Sequence, residues 1–176
     1  MKTFSLLGKL MMDCLPQNVA LQEGTETFLT SPMYPEMLSK DNKKSTHCAW
    51  VLEAPKGHSI KITVEDFEFD NDERCASDNL AIYMGRPTTR DLRKNPFNSP
   101  PADFKPMVLP VAKMCGSNKD GTAHTTLPEA YNQENKEMEE SYTVESSTAT
   151  IHYFALSGSR FKVKVTTEKM TGELYY

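Results

Sequence analysis

An all-β chain folded as an antiparallel sandwich is what these 176 residues predict. Three observations carry that expectation. Apolar and polar residues alternate at period two in several short runs, helical periodicity is almost absent, and turn-forming residues punctuate the runs.

The elements follow in order along the chain. Cys48 to Leu52 places Trp50 and Leu52 on one face of a strand, and Pro55-Lys56-Gly57-His58 supplies the turn after it. Ser59 to Glu65 alternates cleanly, with Ile60, Ile62 and Val64 inward and Lys61, Thr63 and Glu65 outward. That is the pattern of a half-buried antiparallel strand. After Asp78, Leu80 and Ile82 repeat it, with Met84 extending the row. Thr148 to Phe154 is rich in β-formers, and Phe161, Val163 and Val165 alternate with Lys162, Lys164 and Thr166. The predicted core is Trp50, Ile60, Ile62, Val64, Leu80, Ile82 and Phe161.

Two segments interrupt the strands. Arg86 to Ala112 holds six prolines, too many for a hydrogen-bonded ladder, and is expected as an extended loop. Asn118 to Glu145 is polar and acidic, and is expected as a solvated insertion with one helical turn around Glu129 to Met138. The fold class is therefore a sandwich with two long loop insertions.

Composition sets the bounds. A chain this long is most simply one domain, burying about two-thirds of its unfolded surface. A net charge of −4 argues against non-specific nucleic-acid binding, which needs clustered Lys and Arg. No apolar run approaches the roughly 20 residues of a transmembrane helix.

Four cysteines, Cys14, Cys48, Cys75 and Cys115, are widely spaced, with no Cys-x-x-Cys knuckle and no histidine at zinc-finger distance. Two disulfides fit better than a metal clip, and they imply an oxidising compartment. By themselves four cysteines allow three pairings. Met1-Lys2-Thr3 with Phe4 to Gly8 begins like an export signal, but Lys9 and Asp13 interrupt it. Residues 1–13 are thus expected to be a degenerate signal or leader, or the start of a fragment of a longer secreted precursor. No Asn-x-Ser/Thr sequon is present, since Asn98-Ser99 runs into Pro100.

Seven carboxylates, Glu65, Asp66, Glu68, Asp70, Asp72, Glu73 and Asp78, crowd residues 65–78. Carboxylates on neighbouring loop tips can share a hard cation, or simply form an acidic rim that keeps strand ends solvated. Catalytic patterns are weaker. His47, His58, His124 and His152 are isolated in sequence, and Ser157-Gly158-Ser159 is not a Gly-x-Ser-x-Gly elbow. Neither a Gly-rich phosphate loop nor a His-Glu-x-x-His pair is present. An enzyme is not expected.

Taken in order, Ser31-Pro32-Met33-Tyr34-Pro35, Cys48-Ala49-Trp50, Pro55-Lys56-Gly57, Phe67-Glu68-Phe69-Asp70 and Cys75-Ala76-Ser77-Asp78 through Gly85 resemble the CUB domain. That family is an extracellular β-sandwich of jelly-roll type that works as a recognition module. The resemblance runs from about Cys14 to Thr166. Cys115-Gly116 supports it, and Phe154 to Ser157 with Arg160-Phe161 only echo the family's closing pattern. It implies a domain over residues 14–167, with a tail at 168–176, and sequential pairing of Cys14 with Cys48 and of Cys75 with Cys115. In the loop-entropy model each bridge contributes about 3–4 kcal/mol.

The resemblance also implies a site. Many CUB domains hold Ca²⁺ at positions matching Asp70 and Asp78, with a tyrosine matching Tyr34 as brace. Asp70 stands where glutamate is usual, and a third acidic ligand would fall near Leu156 or Ser157, neither of which has a carboxylate. The implied function is a secreted, non-catalytic module that binds an extracellular protein. A basic side chain would dock on the acidic rim of Tyr34, Asp70 and Asp78, with or without calcium. The alternatives are a glycan-binding module, the accessory domain of a secreted protease, or a matrix protein.

Overall fold

The computed structural model describes residues 14, 16–37, 46–88, 109–126, 136–156 and 158–171. Among them lie eleven strands and no helix: β1 (Gln17–Ala20), β2 (Thr27–Thr30), β3 (Thr46–Glu53), β4 (His58–Glu68), β5 (Asn79–Met84), β6 (Ala112–Cys115), β7 (His124–Thr125), β8 (Lys136–Glu137), β9 (Ser141–Val144), β10 (Thr148–Ala155) and β11 (Arg160–Lys169). They form a seven-stranded sheet in the order β1-β3-β10-β5-β6-β7-β8 and a four-stranded sheet in the order β2-β11-β4-β9. Every pairing is antiparallel except that of β1 with β3. The expected all-β sandwich is the observed fold.

The core lies between the sheets. All seven predicted core residues are buried in it, and the alternation in β3, β4, β5 and β11 is what puts them there. Burying a side chain of that size stabilises by about 1.5–3 kcal/mol. One aromatic cluster joins the layers. Phe67 stacks on Phe69 with ring centres 4.3 Å apart, Trp50 meets Phe161 edge-on at 5.7 Å, and Tyr153 lies 5.2 Å from Phe161. The Tyr153 hydroxyl would be costly here without a partner, and it shares a 2.6 Å hydrogen bond with Ser159 Oγ.

Some expectations change. Met84 is half exposed, so the inward row of β5 stops at Ile82. The segment from Asn118 to Glu145 is not simply a solvated insertion: it supplies β7, β8 and β9. Val144 is buried and β9 pairs with β4, because even two apolar residues in alternation, Tyr142 and Val144, suffice to hold an edge strand on an existing sheet. Of the expected helical turn, residues 129–135 lie outside the described residues, and Lys136–Glu137 is strand. Residues 86–88 and 109–111 carry no strand, as expected of the Pro-rich loop, but Ala112, its expected last residue, already opens β6; the middle, 89–108, lies outside the described residues.

One irregularity positions the site. The β4–β11 register slips between Lys162 and Val163, where Lys162 faces Asp66 and Val163 faces Val64. The inward parity of β4 therefore switches from Ile60, Ile62 and Val64 to Phe67, and continues to Phe69 just past the strand's end. A bulge of this kind absorbs one extra residue and re-aims the strand. Here it leaves Asp66 and Glu68 on the outer face beside Arg160.

Candidate functional site: an acidic loop end

The loops around 31–36, 69–78 and 116–122, with residues 156, 158 and 159, are tied to one another at one end of the sandwich. Ser31 N–H donates to the Phe161 carbonyl at 3.1 Å, and Phe161 N–H donates to Ser31 Oγ at 3.0 Å. Phe69 N–H donates to the Gly116 carbonyl at 2.8 Å, and Asn118 N–H to that of Phe67 at 3.0 Å. Leu156 N–H donates to Asp78 Oδ1 at 2.9 Å. Gly116 is required at its position, since its φ is +84° and a Cβ there would collide with the Thr122 carbonyl.

The loop after β4 is built by its own carboxylate. Asp72 accepts N–H groups from Ala76 at 2.8 Å and Arg74 at 3.2 Å, an Asx-type turn that closes the loop on itself. Burial pushes its pKa up, but the N–H groups of Ala76, Arg74 and Ser77, together with the Lys113 charge, outweigh burial and hold it below the usual carboxylate range. Beneath the loop, Cys75 is bridged to Cys115, and a second bridge joins Cys14 to Cys48 of β3. His124 packs on the Cys75–Cys115 bridge, with Nε2 3.6 Å from each sulfur and 3.0 Å from the Asp72 carbonyl. Cys75, Cys115 and His124 have the proximity of metal ligands. As a disulfide the two sulfurs offer no thiolate, so the cluster is structural.

The expected site residues end up in different roles. Asp70 is exposed on the loop, with its carbonyl accepting Gly116 N–H at 3.3 Å. Asp78 is 0% exposed and so lies beneath the surface, fastening the β10–β11 turn. Tyr34 is half-buried, and its hydroxyl donates to Asp66 Oδ2 at 2.8 Å. That hydrogen bond, followed by burial and the Asp66 charge, pushes the phenol pKa up, while Arg160 opposes the rise. The phenol therefore braces Asp66, a residue the sequence reading counted only among the acidic crowd.

Arg160 was likewise overlooked as a site residue. Its Nη1 donates to the Pro35 carbonyl at 3.0 Å, Nη2 lies 3.1 Å from Glu68 Oε2, and Nε lies 3.5 Å from Asp66 Oδ2. The last is an ion-pair distance and not a hydrogen bond. Lys119 Nζ adds a second cation 3.7 Å from Glu68. Only the β4–β11 pairing reveals these contacts, so no local signal in the sequence marks them. Two histidines isolated in sequence also meet: His47 Nδ1 lies 3.4 Å from His152 Nε2 on the outer face of the large sheet.

Comparison with known proteins agrees with this architecture. A family model described as the CUB domain matches residues 18–106. Cubilin of Sus scrofa is 40% identical over 65 residues, which is 37% of this chain and 2% of cubilin. Among solved structures, the CUB1-EGF-CUB2 domains of rat MASP-1 superpose with a TM-score of 0.54 at 12% identity, covering 88% of this chain and 44% of that one. The full extracellular region of zebrafish Gpr126/Adgrg6 superposes with a TM-score of 0.52 at 18% identity, covering 90% of this chain and 15% of that one. The chain thus spans less than half the length of each of these proteins.

Proposed function

The chain belongs to the CUB domain family, and on that premise we propose that it is an extracellular, non-catalytic module that recognises a protein partner through its acidic loop end. The observation that carries this reading is the rigid presentation of exposed carboxylates. Asp70 and Glu73 stand exposed on a loop pinned by the Asp72 turn, the Cys75–Cys115 bridge and the Gly116 backbone. A pre-ordered loop loses little conformational entropy when a partner binds. A Lys or Arg side chain docking there gains a charge-assisted bond worth about 1.5–3 kcal/mol. An extracellular setting is supported by the two disulfides and by the likeness to an extracellular region. Among the described residues no helix is long and apolar enough to cross a membrane.

Calcium at Asp70 and Asp78 would find a short donor set. Ca²⁺ takes about 6–8 oxygens. One Asp78 oxygen already accepts Leu156 N–H, Leu156 brings an aliphatic side chain where a third carboxylate is implied, and Tyr34 is committed to Asp66. These residues do not fit a tightly held ion, and the proposed recognition needs none.

Binding to immobilised Lys-rich and Glu-rich peptides of matched length tests the reading. The natural chain should retain the Lys-rich set at physiological salt, and the Asp70→Ala/Glu73→Ala double variant should lose that retention. Equal retention by the double variant overturns the role of the rim. A glycan array run in parallel separates protein recognition from the glycan-binding alternative.

A further inference from the structure

We propose that the guanidinium of Arg160 is the resident cation of this loop end: it, and not a bound divalent ion, fastens the 31–36 loop to the β4–β11 pair through Asp66, Glu68 and the Pro35 carbonyl. The inference is independent of which partner docks on Asp70 and Glu73.

The bulge in β4 turns two carboxylates, Asp66 and Glu68, to the outer face within reach of one strand partner. Arg160 sits directly across from Glu68 in the ladder, at the first position of β11. Two carboxylates on one short stretch repel each other unless a cation lies between them. Arg160 supplies it: Nη1 donates to the Pro35 carbonyl, Nη2 lies 3.1 Å from Glu68, and Nε stands at an ion-pair distance of 3.5 Å from Asp66 without a hydrogen bond. Its side chain is only 20% exposed, as is nearly true of Asp66 at 21%. An isolated surface pair contributes little, whereas a half-buried network with a rigid planar fork contributes more and fixes geometry.

The same guanidinium reaches a loop far away in sequence. Pro35 follows Tyr34 directly, so the contact to its carbonyl and the Tyr34–Asp66 hydrogen bond clamp one segment from two sides. Ser31 closes the clamp through its paired bonds to Phe161, the residue after Arg160. A divalent ion would gather loops by collecting oxygens. Arg160 achieves the same gathering with N–H donors, one of which donates to the Pro35 carbonyl while the guanidinium charge faces two carboxylates.

Amide hydrogen exchange on the full chain tests this. The reporters are the Tyr34 and Glu36 N–H groups, bonded within the loop to Ser31 and Met33 carbonyls. In the natural chain their exchange should be the same with millimolar Ca²⁺ and with EGTA. Arg160→Gln should speed them about tenfold, the loss of one charge-assisted contact, while Ile62 and Val163 amides in the sheet are unchanged. Arg160→Lys should recover part of the protection. If Arg160→Gln unfolds the chain, Glu68→Gln is read instead and should speed the same two amides. Calcium-dependent protection in the natural chain, or variant amides that exchange as in the natural chain, would overturn the proposal. Loss of peptide binding in the rim test leaves these amide rates unmoved, so the two readings fail separately.

Discussion

The carboxylate of Asp78 and the backbone N–H of Leu156 meet at 2.9 Å although 78 residues separate them. Asp78 is fully buried, so this bond holds the turn after β10 to the disulfide-bearing loop. Replacing Asp78 with Ala removes the acceptor of this part-buried, charge-assisted bond and should cost about 1–3 kcal/mol in urea unfolding. Asp78→Asn keeps an acceptor and should cost less. A neutral Asp78→Ala would show that the turn is held by other contacts. Calorimetry on the same pair of proteins with millimolar Ca²⁺ should give no heat.

Non-reducing peptide mapping should recover Cys14 linked to Cys48 and Cys75 linked to Cys115, the pairs present in the structure. Free thiols in native protein, or Cys14 linked to Cys115, would contradict it. Removing the Cys75–Cys115 bridge should destabilise by about 2–5 kcal/mol and weaken peptide binding at the rim above it.

Ile62→Ala should cost about 2–5 kcal/mol, because its side chain is wholly buried between the sheets. Thr63→Ala, one residue along the strand, should change stability far less. Equal effects at the two positions would mean the register of β4 is wrong.

Lys113 gives a pH signature. It is 9% exposed, and burial, opposed by the Asp72 charge, lowers its pKa from 10.5 to about 8. Between those two values the unfolded chain holds a proton that the folded chain has released, so this residue makes stability rise with pH across that window. Below about pH 8 both states are charged and the full cost of burial is present. Lys113→Met should therefore stabilise at pH 7, by up to about 3 kcal/mol, and the gain should shrink as pH climbs from 8 toward 10.5. A gain that is flat with pH would place the ammonium in water.

Gly116→Ala should destabilise by about 1–3 kcal/mol or more, combining a left-handed φ with a collision at the Thr122 carbonyl. Since Gly116 is bonded to Phe69 and Asp70 through its backbone, the variant should also weaken peptide binding, measured on the fraction that remains folded. Unchanged stability would remove this glycine from the account of the loop.

The sequence by itself determined the sandwich, its central strands and its core. Ile60, Ile62 and Val64 state their register locally, because period-two alternation is written into neighbouring residues. The family markers located Tyr34, Asp70 and Asp78 as a set. β1, β2 and β9 were not legible, being short edge strands, four residues each, with at most one residue of each buried. Nor was the parity switch at Glu65-Asp66, since two successive outward residues become a bulge only when a partner strand supplies the missing register. The roles within the site were decided by tertiary structure alone. Asp70 and Asp78 look alike in sequence, yet one is exposed and the other buried, because the β10–β11 turn packs over Asp78. Arg160 becomes the counter-charge of Asp66 and Glu68 only through pairing between strands some ninety residues apart, and such a contact has no period for a sequence to display.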